Sequence, residues 1–194
     1  MNVIYPLAEK FISINGEGPK AGMMAAFLRM KGCNLSCNYC DTSWANESDC
    51  PTEPLTAREI LHWLKESGTV NVTLTGGEPL LIPHVSELIE ALGEAGFAVE
   101  IETNGSVPLA PFCELSHRPA FTMDYKCPDS GMEDYMRLDN FSLLTKDDSV
   151  KFVVSSENDL ARAEEITAGY HLTERCRVYL RAVFGRIEPR TITE

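Results

Sequence analysis

Short apolar runs that alternate with helical periodicities constrain this chain more than any other feature, because few architectures accept that alternation. The runs cover residues 70–74, 97–101, 120–124, 150–154 and 178–183, and two more, 11–14 and 25–30, lie ahead of them. Between the runs, Thr56 and Glu59 form a capping box before Ile60, Leu61 and Leu64. After Pro83, the residues Val85, Leu88, Ile89 and Leu92 recur at helical spacing, with Gly96 as the expected stop. A third helix is expected over 157–168, ended by Gly169. Strands joined by helices imply a parallel sheet with right-handed crossovers, and strands this short and apolar are expected to be buried on both faces. The reading is an α/β fold, a partial (β/α) barrel in one domain spanning 1–194. Ligands of such folds sit at the carboxyl ends of parallel strands, so the residues after each run are the first functional candidates.

Three of those candidates are Cys33, Cys37 and Cys40, in a C-x3-C-x2-C arrangement just after run 25–30. They offer three soft ligands and no fourth. Structural zinc takes four protein ligands and a closed iron-sulfur site takes four thiolates, so a trio points to a metal position left open for chemistry. A zinc-binding interaction module completed by Cys50 is the alternative. Three unrelated core cysteines fit poorly in a polar loop. Run 70–74 leads into Thr75-Gly76-Gly77-Glu78-Pro79, where glycines let backbone approach a ligand closely and Glu78 can accept from an ammonium, or where an ordinary turn is made. Run 97–101 leads into Glu102-Thr103-Asn104-Gly105, suited to a ribose or amine but equally to a capped turn. Run 120–124 leads into Tyr125 and Lys126. Lys151 inside 150–154 is unusual in so apolar a strand and calls for a buried partner or an edge, with a structural salt bridge the favoured role.

Composition narrows the partners. With 194 residues and 44% hydrophobic content the chain can bury one substantial core. A formal charge of −12 opposes a broad grip on nucleic acid and favours a small-molecule substrate. No apolar stretch is long enough to span a bilayer and no secretion signal opens the chain. Seven cysteines without such a signal suit reduced thiols and a cytoplasmic setting.

The cysteine trio with Asp41-Thr42, followed by Thr75-Gly76-Gly77-Glu78-Pro79, resembles the radical S-adenosylmethionine enzymes. That resemblance implies a four-iron four-sulfur cluster on Cys33, Cys37 and Cys40. Its free iron chelates S-adenosylmethionine, which is cleaved to methionine and a 5′-deoxyadenosyl radical. Gly76, Gly77 and Glu78 would meet the methionyl amine, Thr75 would face the substrate, and Glu102, Thr103, Asn104, Asp124, Tyr125 and Lys126 would complete the cofactor contacts. The run Ser13-Ile14-Asn15-Gly16-Glu17-Gly18, with Arg29 and Cys40-Asp41-Thr42, resembles the 7-carboxy-7-deazaguanine synthase family. This implies 6-carboxy-5,6,7,8-tetrahydropterin as substrate, rearranged with loss of ammonia in queuosine and 7-deazapurine biosynthesis. Arg29 would pair the carboxylate bidentately. Ile14, Asn15, Gly16 and Glu17 would read the pterin edges and Thr42 would ligate Mg2+. A homodimer and a reductant such as a flavodoxin are implied as well. The family commonly has glutamine where Asn15 stands, and its members continue beyond the segment that begins near Pro189, so a C-terminal stretch of the pocket is expected to be missing. A glycyl-radical activating enzyme would share the cysteines and the Gly-Gly-Glu-Pro run but act on a partner protein.

Overall fold

The computed structural model describes residues 3–193. One open sheet runs in the order β3-β1-β2-β4-β5-β6-β7-β8. Its strands are β1 (Ile4–Ile14), β2 (Met24–Met30), β3 (Glu53–Thr56), β4 (Asn71–Gly76), β5 (Ala98–Thr103), β6 (Ala120–Tyr125), β7 (Ser149–Val154) and β8 (Arg177–Ala182). From β2 to β8 each neighbour is parallel, as the alternation predicts. At the other edge β1 pairs antiparallel with β2 and β3. The connection from Asn15 to Met23 is too short for the crossover that parallel pairing needs, so the wholly parallel expectation fails there.

The helices follow their local signals. In α1 (Ala57–Ser67) the Thr56 hydroxyl accepts from the Glu59 amide while the Glu59 carboxylate accepts from the Thr56 amide. The helix α2 (Val85–Glu94) buries Val85, Leu88, Ile89 and Leu92, the predicted stripe, although His84 caps it and Pro83 stays outside. After the single turn α3 (Ala110–Cys113), helix α4 (Glu157–Gly169) includes the glycine expected to stop it, and the chain reverses at His171 (φ 52) before α5 (Leu172–Arg175). β1 starts well before the expected 11–14 because Pro6, Glu9 and Lys10 interrupt its apolar pattern. Short β3 was not expected.

The central strands are buried on both faces, as expected, but only one of those faces is apolar. Successive strand residues point to opposite sides. Val72, Leu74, Val99, Ile101, Phe121, Met123, Val150 and Phe152 join the buried core beneath the helices. The alternate set, Thr73, Thr75, Glu100, Glu102, Thr122, Asp124, Ser149 and Lys151, is polar. It lines the concave side of a curled sheet. Glu17, just past β1, forms an ion pair with Arg181 of β8, six strand spacings away in the sheet order. In a flat sheet that gap is about 29 Å, so the pair requires a partial barrel.

Candidate active site

The loop between β1 and β2 lies at the amino ends of the parallel strands and forms the floor of the half-barrel. Lys20 reaches the carbonyl of Ala98, Tyr179 donates to the carbonyl of Gly18, and Glu17 receives both Lys151 (2.6 Å) and Arg181. Gly18 has φ +68, and a Cβ there would stand 2.2 Å from Glu100 Oε1, so the floor closes only around glycine. Asn15, 1% exposed, donates through Nδ2 to Glu100 Oε2 (3.0 Å) and Thr73 Oγ1 (3.3 Å), and its Oδ1 accepts from the Glu17 amide. The amide expected to read a substrate edge is turned into the floor. Beneath it Thr122 links Glu100 (2.6 Å) to Ser149 (2.9 Å). Burial pushes the Glu100 carboxyl above its ordinary range against the Thr122 hydrogen bond.

The cysteine loop occupies the opposite end, at the carboxyl ends of the strands. It is held by its neighbours. Gly32 N donates to Ala45 O, Asn38 N to Ser130 O, and the Tyr39 phenol to Val153 O (3.1 Å). Asn104 Nδ2 reaches Asn34 Oδ1 (3.1 Å) and Cys33 Sγ (3.5 Å). Gly76 and Gly77 serve this packing as well as lining the cavity. A Cβ on Gly77 would lie 1.9 Å from the Gly32 carbonyl oxygen, and one on Gly76 2.3 Å from that of Met30. Glu78 is fully buried, its carboxylate taken by Asn104 N (2.7 Å), Thr103 Oγ1 (2.9 Å) and Leu80 N (3.0 Å). It clamps the ends of β4 and β5 together and presents no oxygen to an ammonium. Burial pushes its carboxyl up to about 7, against the pull of those three donors.

A cavity of about 630 Å³ joins the two ends. Its wall brings together Asn15, Gly16, Glu17, Arg29, Thr75, Gly76, Gly77, Glu102, Thr103, Asn104, Asp124, Lys126, the three cysteines and Thr42. Among the residues expected at the site, the structure separates three. The Ile14 side chain is 61% exposed on the outer surface. The Tyr125 ring packs on Phe141 and Phe152 in the core with its phenol on Glu133 (2.6 Å), and Glu78 lies behind the wall. Residues not anticipated there include Tyr39, Thr122, Val153, Arg181 and Phe184. The period-two polar positions of β6, β7 and β8 carried a signal for Thr122 and Arg181.

Charges alternate along the cavity from top to floor. Lys126 Nζ contacts Asp124 Oδ2 (2.9 Å), Lys151 Nζ contacts the same oxygen (3.3 Å), and Lys151 continues to Glu17 and thence to Arg181. The partner that the unusual Lys151 demanded is thus a pair of carboxylates. Burial works against the Asp124 charge, yet the two lysines outweigh it and hold the carboxyl below its ordinary range. Burial likewise opposes the Lys151 charge, and Asp124 and Glu17 prevail, raising it. Asp124 Oδ1 is buried with no hydrogen-bond partner, an acceptor left over for a ligand donor. Glu102 is pushed up by burial, with Thr75 hydrogen-bonded to it.

The donor set fits a cubane. Cys33, Cys37 and Cys40 are free thiols on one cavity wall, and among the described residues no three His, Cys, Asp or Glu side chains converge on a single ion. A cubane takes each thiolate on a separate iron. A family model for the radical SAM superfamily matches residues 27–125. The 7-carboxy-7-deazaguanine synthase of Clostridium acetobutylicum is 52% identical over 98% of this chain and 86% of its own length. This chain belongs to the 7-carboxy-7-deazaguanine synthase family. The synthase of Methanospirillum hungatei is 37% identical over 92% of this chain and 73% of its own. The crystal structure of QueE from Escherichia coli superposes with a TM-score of 0.74, covering 93% of this chain and 85% of that one at 23% identity, a likeness of fold. Family membership makes this chain a radical SAM enzyme and removes the zinc module and the activating enzyme as readings.

Proposed function

We propose that the chain converts 6-carboxy-5,6,7,8-tetrahydropterin to 7-carboxy-7-deazaguanine with loss of ammonia, a carbon-nitrogen lyase reaction of queuosine and 7-deazapurine biosynthesis. One observation beyond family membership carries the reading: the three thiols and the groups suited to a carboxypterin line a single cavity. When bound, the four-iron four-sulfur cluster and S-adenosylmethionine supply a hydrogen-abstracting radical at the top of that cavity. The chain's own residues hold and orient. Cys33, Cys37 and Cys40 would ligate three irons, and the free Asp124 Oδ1 with Glu102, Thr103 and Asn104 would receive cofactor donors. Glu17 and Thr75 would meet the pterin's amino and amide edges, and Arg29 its carboxylate. The Thr42 hydroxyl donates to Asp41 Oδ1 (2.9 Å), leaving its lone pairs for a hard cation, which supports Mg2+ beside the substrate. Family likeness leads us to assign a homodimer, a flavodoxin-type reductant and a cytoplasmic setting. Among the described residues no helix is long and apolar enough to cross a membrane.

The test is anaerobic incubation of the reduced protein with the carboxypterin, S-adenosylmethionine and Mg2+, read by chromatography and mass of the product. Deazapurine formation with about four irons per chain is the expected result. Cleavage of S-adenosylmethionine without deazapurine would defeat the substrate assignment and leave the radical chemistry standing. An unchanged rate for Thr42→Ala across a Mg2+ titration would remove that ligand.

A further inference from the structure

Arg29 has an ion-pair partner on the neighbouring strand that the motifs of the sequence analysis do not include. Glu9 Oε1 sits 2.6 Å from Arg29 Nε, while the two terminal nitrogens of Arg29 make no hydrogen bond among the described residues. The guanidinium also lies over the Phe11 ring (6.0 Å), which is itself stacked on Phe27 at 4.9 Å and 4°. Arg29 is therefore fixed from its inner side and along one face. Arg29 lines the cavity, and the end of its planar fork is the part of the guanidinium left without a protein partner among the described residues.

A defect in the sheet makes this possible. Leu7 pairs with Met30 and Glu9 with Arg29, which leaves Ala8 as an extra residue in β1. Without that bulge, Glu9 would share a face with Leu7, which is fully buried under the helices. The bulge reverses the parity and brings Glu9, Phe11 and Ser13 to the side of Arg29, Phe27 and Ala25. Bulges commonly re-aim side chains next to functional sites.

We propose that Glu9 is a positioning residue that orients the Arg29 guanidinium so that its terminal nitrogens receive the substrate carboxylate end-on. The inference rests on the reading that Arg29 binds that carboxylate. Glu9 adds no attraction of its own, since it is an anion; its contribution is to direction. Its loss should consequently cost discrimination for the carboxylate more than affinity for the pterin ring.

Two ligands separate these effects: 6-carboxytetrahydropterin and tetrahydropterin without the 6-carboxylate, each titrated into wild type, Glu9→Gln, Glu9→Ala and Arg29→Ala. Glu9→Ala should bind the carboxylated ligand about tenfold more weakly, with Glu9→Gln, whose amide oxygen can still accept from Arg29 Nε, nearer to wild type, while the ligand lacking the carboxylate binds all forms alike. In turnover, KM should rise with kcat within about twofold for Glu9→Ala. Equal weakening of both ligands would mean a merely structural pair and overturn the proposal, as would unchanged binding of the carboxylated ligand by Glu9→Ala. If Arg29→Ala keeps the preference for the carboxylated ligand, the Arg29 reading itself falls and takes the Glu9 proposal with it.

Discussion

Replacing Gly77 with alanine tests whether the strand-end glycines exist for packing or for ligand access. The added Cβ would stand 1.9 Å from the Gly32 oxygen, 2.3 Å from its carbon and 2.8 Å from the Cys33 nitrogen. That is about 1.5 Å short of ordinary contact, and every atom met is backbone, so no rotamer change relieves it. Separation of the two segments stretches Gly77 N to Met30 O (3.2 Å) and Glu78 N to Gly32 O (2.8 Å). One lost buried hydrogen bond with residual overpacking puts the destabilisation at about 2–4 kcal/mol. For a domain of this size that lowers the melting temperature by roughly 2–4 °C per kcal/mol. Because the atoms displaced include the nitrogen of the first cysteine, iron uptake should fall with stability. The assay is thermal unfolding of the apo protein, paired with iron per chain after anaerobic reconstitution. Gly16→Ala is the control, since nothing lies within 4 Å of its Cβ; stability and iron should stay at wild-type levels. A Gly77→Ala protein within about 0.5 kcal/mol of wild type, with full iron, would refute the packing argument.

Other expectations follow from the same geometry. Cys37→Ala should reduce iron from about four per chain to near none, measured by colorimetric iron assay; retention of the cluster would exclude Cys37 as a ligand. Lys151→Met removes the cation shared by Glu17 and Asp124. It should cost about 2 kcal/mol in urea unfolding and raise KM for both pterin and S-adenosylmethionine, whereas an effect on one ligand alone would break the link between floor and top. For Glu78, the folded carboxyl titrates near 7 and the unfolded one near its ordinary value, so the native state holds more protons between those limits. Stability from this group is complete below about pH 4.5 and is lost as pH rises through about 7, by up to about 3 kcal/mol. Glu78→Gln should flatten that slope in urea midpoints taken from pH 5 to 8.

Much of the fold was readable because apolar runs and caps are local signals. The stripe of α2 and the capping box of α1 needed no tertiary information, and neither did the strands from β4 to β8. The first half of β1 was not readable, since Pro6, Glu9 and Lys10 break its period and the bulge at Ala8 shifts it by one residue. The polar concave face was also missed. Thr73, Glu100, Thr122 and Ser149 look like interruptions in apolar strands until the curl of the sheet turns them toward one another. The candidate site was legible at its thiols, because metal-ligand spacing is a short-range pattern. Its wall was legible only in part. Glu78 and Tyr125 sit in motifs that end at the cavity, yet backbone direction at each strand end decides which side chain enters it, and spacing carries no such information. Tyr39 reaches the cavity from the cysteine loop through a contact that no local pattern encodes.

The polar inner face poses a stability problem whose solution also organises the site. Glu17, Glu100, Glu102 and Asp124 lie on or just beneath one concave surface, and burial raises Glu100 and Glu102. Left unpaired, such carboxylates would protonate or unfold the barrel. Lys126, Lys151 and Arg181 enter from three adjacent segments and leave each of Asp124 and Glu17 between two cations. Neutralisation by alternation keeps the ions charged without tying up every lone pair, and Asp124 Oδ1 is the acceptor that remains. A cavity built with an apolar inner face would pack more firmly, but it would offer a polar ligand neither the unused oxygen at the top nor the carboxylate at the floor. The charges that make the half-barrel costly to fold are those that, on the proposed function, would hold a polar cofactor and a polar substrate.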